Sequence, residues 1–191
     1  MRHQTIKQKW QGMSLIISAT AMVAATFFMR GQEFTATGGI IMILTVPFSI
    51  FGFNGIFEKF SKMMPAYVHW GFLLYLFGAV ATVNFGMRGV FNELFGITIP
   101  DLEIATRQHP AIFTLVFFAI GPAFPLSILL LGINLYRKKL SRRWIALLLI
   151  LGAISFPPSR VSRVEVLMHL CDLLLFIPMV AIGLKMIKNK E

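Results

Sequence analysis

Six apolar runs alternate with short polar connections along the chain, at about 12–30, 38–57, 66–87, 110–136, 143–158 and 163–185. Each is near the ~20 residues that a helix needs to cross a bilayer. The fifth is the short one, since Trp144–Phe156 is closed by Pro157-Pro158, and proline removes a backbone donor and crowds the preceding turn. The pattern predicts an all-α integral membrane protein, a six-transmembrane-helix bundle forming one domain over residues 1–191. The fifth run is read as spanning rather than re-entrant, because only then do the loop charges sort by side.

Interruptions inside the runs mark packing. Pro47 and Gly121-Pro122-Ala-Phe-Pro125 free carbonyls at mid-membrane depth that must be satisfied within the protein. Simple kinks do this, as do the broken helices of transport sites. Ser14, Ser18, Ala21 and Ala25 line one side of the first run, and Gly71 and Gly78 one side of the third. Small stripes let backbones approach, so these two helices are expected to pack together. Ala19-Thr20-Ala21 could be taken for a signal-peptide cleavage site, but apolar sequence continues beyond it; the first run is read as a retained helix.

Composition agrees with a bilayer protein: 57% of residues are hydrophobic and 14% charged, against about 25% charged in soluble domains. The net charge of +10 raises nucleic-acid binding, but its distribution argues otherwise. With the N-terminus inside, thirteen of the eighteen Lys and Arg fall on inner segments, including Arg137-Lys138-Lys139, Arg142-Arg143 and the tail Lys185, Lys188, Lys190. Only Arg30, Arg88, Arg107, Arg160 and Arg163 fall outside. Positive residues stay cytoplasmic, so both termini are placed in the cytoplasm and the protein in a cell (cytoplasmic) membrane. Trp10, Trp70, Trp144, Tyr67 and Tyr136 then all sit at the inner interface, where aromatic rings anchor helices. The basic inner face is a topology determinant first and a contact for anionic lipid second; the expected partner is the lipid bilayer, with no nucleic acid and no protein partner named by the sequence.

The longest outer connection, Arg88–His109, carries Phe91, Leu94, Phe95, Ile97 and Ile99. That density of apolar residues predicts short interfacial helices, one of them starting at Thr98 with Asp101 three residues on, as a capping box requires.

Candidate chemistry is confined to one stripe. Glu165, His169 and Asp172 fall within about 60° of one another on the last helix. Ser162-Arg-Val-Glu165 reads as a capping box, which accounts for Glu165. Asp172 lies roughly 13 Å below the outer interface at the helical rise, where an aspartate costs about 2.5–3.5 kcal/mol on insertion scales. Something must face it. The same depth carries Thr26, Thr45, Thr82, Asn84 and Thr114, with His109 higher and Arg88, Arg107 and Glu165 at the rim. This predicts a polar layer in the outer third of the bundle.

Other chemistries find little support. Cys171 is the single cysteine, which excludes an internal disulfide and cysteine-ligated zinc or iron–sulfur sites. His69 falls at the inner end of its helix and His169 at the outer end of another, too far apart for one haem, while His109 with His169 would be shallow. A metal site from His109, His169 and Asp172 lacks the paired histidines of H-E-x-x-H, and neither G-x-S-x-G nor a phosphate-binding loop occurs. No cofactor, metal or catalytic residue is assigned.

The passage Gly121-Pro122, Leu130-Leu131-Gly132, the basic turn, Leu140-Ser-Arg-Arg-Trp144 and Leu147-Leu-Leu-Ile-Leu-Gly152 resembles a group of uncharacterised bacterial six-helix integral membrane proteins. The resemblance implies that fold and supplies no site residues. The expected function is that of a multi-pass membrane protein with a non-enzymatic role through partners or lipid. A small permease or proton-coupled carrier using Asp172 and His169 is the alternative, and an outward-opening intramembrane enzyme the second.

Overall fold

A computed structural model describes residues 2–30, 33–162 and 164–188. Arg163 and Lys190, counted above among the charges, lie outside them. The described chain is all-helical apart from one hairpin. Helix α1 spans Arg2–Thr26, and strands Met29–Arg30 and Glu33–Phe34 pair antiparallel. Then come α2 (Ala36–Phe60), α3 (Pro65–Phe95), α4 (Ile99–Gln108) and α5 (Pro110–Phe113). A π-helical turn, Thr114–Ala119, leads to α6 (Ala123–Arg137), α7 (Arg143–Ser162) and α8 (Glu165–Lys188).

Four helices are long and apolar enough to cross a membrane: α2, α3, α7 and α8. In α1 the apolar stretch begins only after Lys7, Lys9 and Gln11. Lys7 donates to Glu58 at 2.6 Å and Gln11 to the same carboxylate at 3.0 Å, tying α1 to the foot of α2. The run 110–136 is not one helix, because Gly121-Pro122 divides it and leaves α6 with 15 residues.

The long helices follow one another around a ring. Each of α1, α2, α3, α6, α7 and α8 packs on the next, and α8 returns to α1. Both chain ends therefore lie at one end of the ring, called proximal here; Thr26, Glu33, Arg88 and Arg160 lie at the distal end. Glycines set the tightest crossings. A Cβ on Gly12 would stand 2.7 Å from Gly183 O, and one on Gly183 would stand 2.7 Å from Gly12 O. The proximal and middle core is aromatic and aliphatic: Phe53 stacks on Tyr75 with ring centroids 4.1 Å apart, beside Ile56, Phe57, Ile128, Leu131, Leu135 and Leu149. The outer face is apolar too, with Leu44, Val80, Leu151, Ile154 and Leu170 all more than half exposed, as lipid-facing helix surfaces are.

Three expectations from the sequence need correction. The stripes on α1 and α3 do not meet: α1 packs on α2 and α8, Gly78 faces Phe124 of α6, and Gly71 O accepts from Ser127 at 2.7 Å. Tyr67 is not an outward anchor, because its hydroxyl turns inward to Ser127 O at 2.7 Å; Trp10, Trp70, Trp144 and Tyr136 are exposed near the proximal end. Third, α7 does not stop at Pro157-Pro158 but continues to Ser162. Ser162 closes α7, donating back to Ser159 O at 3.5 Å, and α8 begins at Glu165. Among the described residues the hydroxyl of Ser162 is bonded to Ser159 O, within α7, and no bond between Ser162 and Glu165 is found.

Candidate functional site

The distal half of the ring encloses a cavity of about 330 Å³. Its cause is the broken fourth segment. Among the described residues the π-helical turn packs on α3. Asn84 of α3 donates to Val116 O at 3.0 Å, so a carbonyl loosened by the irregular turn finds a partner inside the protein. The chain thus leans onto α3 at this level. The resulting space is bounded by Gly78, Ala81, Thr82 and Phe85 of α3, by Gly121, Pro122, Phe124 and Pro125, and by Phe156, Pro157, Arg160 and Val161. Met22, Ala25 and Thr26 of α1 and Met168 of α8 close the far wall.

The lining is mostly apolar, and its charges are paired. Asp172 is 4% exposed. One of its oxygens takes the guanidinium of Arg160 through Nη2, and the other accepts from Thr26 Oγ1 at 2.8 Å. The stripe on α8 therefore meets α7 and α1. Arg160 lies over the Phe156 ring at 4.9 Å, and its Nη1 is buried without a hydrogen-bond partner among the described residues. At the rim, Arg88 pairs with Glu33 of the hairpin, both side chains largely buried.

A smaller space of about 40 Å³ lies deeper, lined by Ser18, Thr45, Ser49, Tyr75, Thr82 and Asp172 among others. Thr82 and Phe124 border both spaces. The Arg160–Asp172 pair sits at their junction, with Arg160 on the large cavity and Asp172 on the small one.

The residues named from sequence divide. Asp172, Thr82 and Thr45 line these spaces, although Thr82 bonds Gly78 O at 3.0 Å and Thr45 bonds Ile41 O at 2.7 Å, each within its own helix. Asn84 serves the irregular turn. His169 is half-buried, stacks near Phe27 at 4.5 Å, and has no hydrogen-bond partner for its buried Nδ1 among the described residues. Thr114, His109, Arg107 and Glu165 are exposed and are not brought to Asp172. Arg160 and Glu33 were missed as site residues. Among the described residues no three His, Cys, Asp or Glu side chains converge on a point that would hold a metal, and Cys171 is buried with Sγ 3.5 Å from Gly152 O.

Comparison with protein-family models, with curated proteins and with solved structures finds no match for this chain.

Proposed function

We propose that the chain is a multi-pass protein of the cell membrane, crossing six times with both termini in the cytoplasm, whose distal cavity binds a small lipid-soluble solute. The observation that carries this reading is the 330 Å³ space beside the broken segment, within the size range of small-molecule sites and lined, as they are, by apolar groups with a few polar ones. An engineered cavity of about 150 Å³ accepts benzene, so this one has room for about two rings. The role is binding or carriage, not catalysis: the hydroxyl proton of Thr82 goes to Gly78 O, and the single hydroxyl proton of Thr26 is shared between Val23 O and Asp172.

The orientation rests on charge. The proximal end gathers the Arg137–Arg143 cluster with Lys7, Lys9, Lys185 and Lys188, and positive residues remain on the cytoplasmic side. α1, long enough but polar over its first half, and α6, apolar but short, would complete the six crossings. Anionic lipid at the proximal face fits the same charges.

A second reading attaches to Asp172 itself. Both of its oxygens are used inside the protein, which favours a structural tie between α1, α7 and α8 over a proton-coupling site. The cavity beside the tie is then the functional element, and the tie holds its wall.

Naphthalene, an apolar probe of the right size, tests the binding reading. Nanodiscs carrying the protein should take it up saturably, one molecule per chain, above empty nanodiscs, and Ala81→Leu should abolish the excess. Uptake that never saturates would sink the proposal. Single cysteines at Thr98 and Ser141, on a background where Cys171 is buried, test the topology: only Thr98→Cys should react with an impermeant maleimide on intact cells.

A further inference from the structure

We infer that the ligand of this cavity is a neutral, lipid-soluble molecule, about two fused rings in size, with a carbonyl oxygen that docks at Arg160. The inference rests on the binding role proposed above and adds the chemical class.

The polar atoms of the wall specify what the ligand must offer. The hydroxyl protons of Thr26 and Thr82 are committed within the protein. Arg160 uses Nη2 on Asp172, while Nη1 is buried with no acceptor among the described residues. A buried donor without a partner is costly, and here it belongs to a cation lining an apolar space. A ligand oxygen that reaches Nη1 supplies the missing acceptor in a charge-assisted bond, stronger than a neutral one.

The charges specify the rest. Arg160 is balanced by Asp172 and Arg88 by Glu33. A carboxylate or phosphate on the free side of Arg160 would put a second anion on one guanidinium, beside an aspartate that is 4% exposed. That leaves a net negative charge in a desolvated place, which is heavily penalised. A carbonyl keeps the cluster neutral. Phe85, Phe124 and Phe156 on the wall suit a flat ring body, which they contact by stacking or edge-to-face packing.

Three probes of similar shape test this by equilibrium dialysis against protein-loaded nanodiscs, with empty nanodiscs subtracted: acetonaphthone, the hydrocarbon isopropenylnaphthalene, and naphthoate. The ketone should bind about tenfold tighter than the hydrocarbon, the size of a charge-assisted hydrogen bond, and naphthoate most weakly. Arg160→Lys keeps a cation for Asp172 but removes the second nitrogen, so the advantage of the ketone over the hydrocarbon should be lost. If naphthoate binds best, the site is an anion site and the inference falls. If ketone and hydrocarbon bind alike in the unaltered protein, Arg160 recognises nothing and the inference falls, leaving the binding role intact. If none of the three binds saturably, the binding role itself falls. Should Arg160→Lys fail to fold, the order of the three probes on the unaltered protein still decides.

Discussion

Arg160, near the end of α7, and Asp172, about two turns into α8, face each other as an ion pair that Thr26 of α1 closes from the opposite side. Three helices from the two ends of the chain therefore meet at one carboxylate. The pair lies between the large cavity and the smaller one and ties α7 to α8 at that level.

A single truncation should be worse than removal of the pair. Asp172→Ala leaves a guanidinium without its anion in an apolar wall, and breaking a buried pair from one side costs about 3–5 kcal/mol. The double variant Arg160→Met, Asp172→Leu should recover most of that loss, because neither charge then remains to be desolvated. Thr26→Val should cost less, about 0.6–1.7 kcal/mol, as interhelical hydrogen bonds in membranes do. Thermal unfolding in one detergent ranks the three. A double variant as unstable as Asp172→Ala would show that the charges themselves are needed.

Backbone contact between Gly12 and Gly183 makes a second prediction. Each would place a Cβ 2.7 Å from the other's carbonyl oxygen, so Gly183→Ala must push α8 away from α1 and should cost about 1–3 kcal/mol, as overpacking does. Gly96 is the contrasting case, with φ of 63° and open space around it. Gly96→Ala meets only backbone strain of about 1–2 kcal/mol, and Gly96→Asn should be milder, since asparagine tolerates that region. Melting temperatures of the purified variants separate the steric site from the conformational one.

The all-helical architecture was legible because hydropathy reports segments, and an apolar run of this length has few other structures open to it. Arg160 was not legible for the same reason. Pro157-Pro158 reads as an end, so Arg160 was counted as a loop charge, whereas α7 continues through the prolines to Ser162. Its position twelve residues before Asp172 is a signal that could have paired them once the helix was extended. Thr26 was correctly placed at the depth of Asp172, because depth follows from rise per residue. Thr114 shared that depth but lies exposed, since the irregular turn that rotates it outward depends on Asn84 and on the break at Gly121-Pro122, neither of which has a periodicity. The stripes on α1 and α3 misled because small residues mark a close approach without naming the partner.

Helix α4 carries the pH dependence. The hydroxyl and the amide of Thr98 both donate to Asp101 Oδ2, at 2.6 and 2.8 Å. The hydroxyl bond, with the amide bond behind it, holds the Asp101 carboxyl below its ordinary value. A depressed folded value means that the contribution to stability is complete above the ordinary aspartate range and disappears as pH falls through the lowered value. Amides at the start of α4 should therefore exchange faster with solvent hydrogen below about pH 4 than above it, relative to the rest of the helix. Asp101→Asn should flatten that dependence. A dependence that survives the substitution would assign it to another group.

Asn84 should control access to the cavity. Its Nδ2 donates to Val116 O at 3.0 Å and holds the π-helical turn against α3. Asn84→Leu removes the donor, leaves the carbonyl unpaired, and loosens the hold of the turn on α3. The loss in stability should be small, about 0.6–1.7 kcal/mol, because the ring contacts elsewhere are untouched. The local effect should be larger: hydrogen exchange over residues 113–119 should rise while that of α2 and α8 stays as it was. If the cavity is entered from this side, probe association and dissociation should both accelerate with little change in affinity. Faster exchange without faster association would place the entrance elsewhere, at the hairpin end where Arg88 and Glu33 pair.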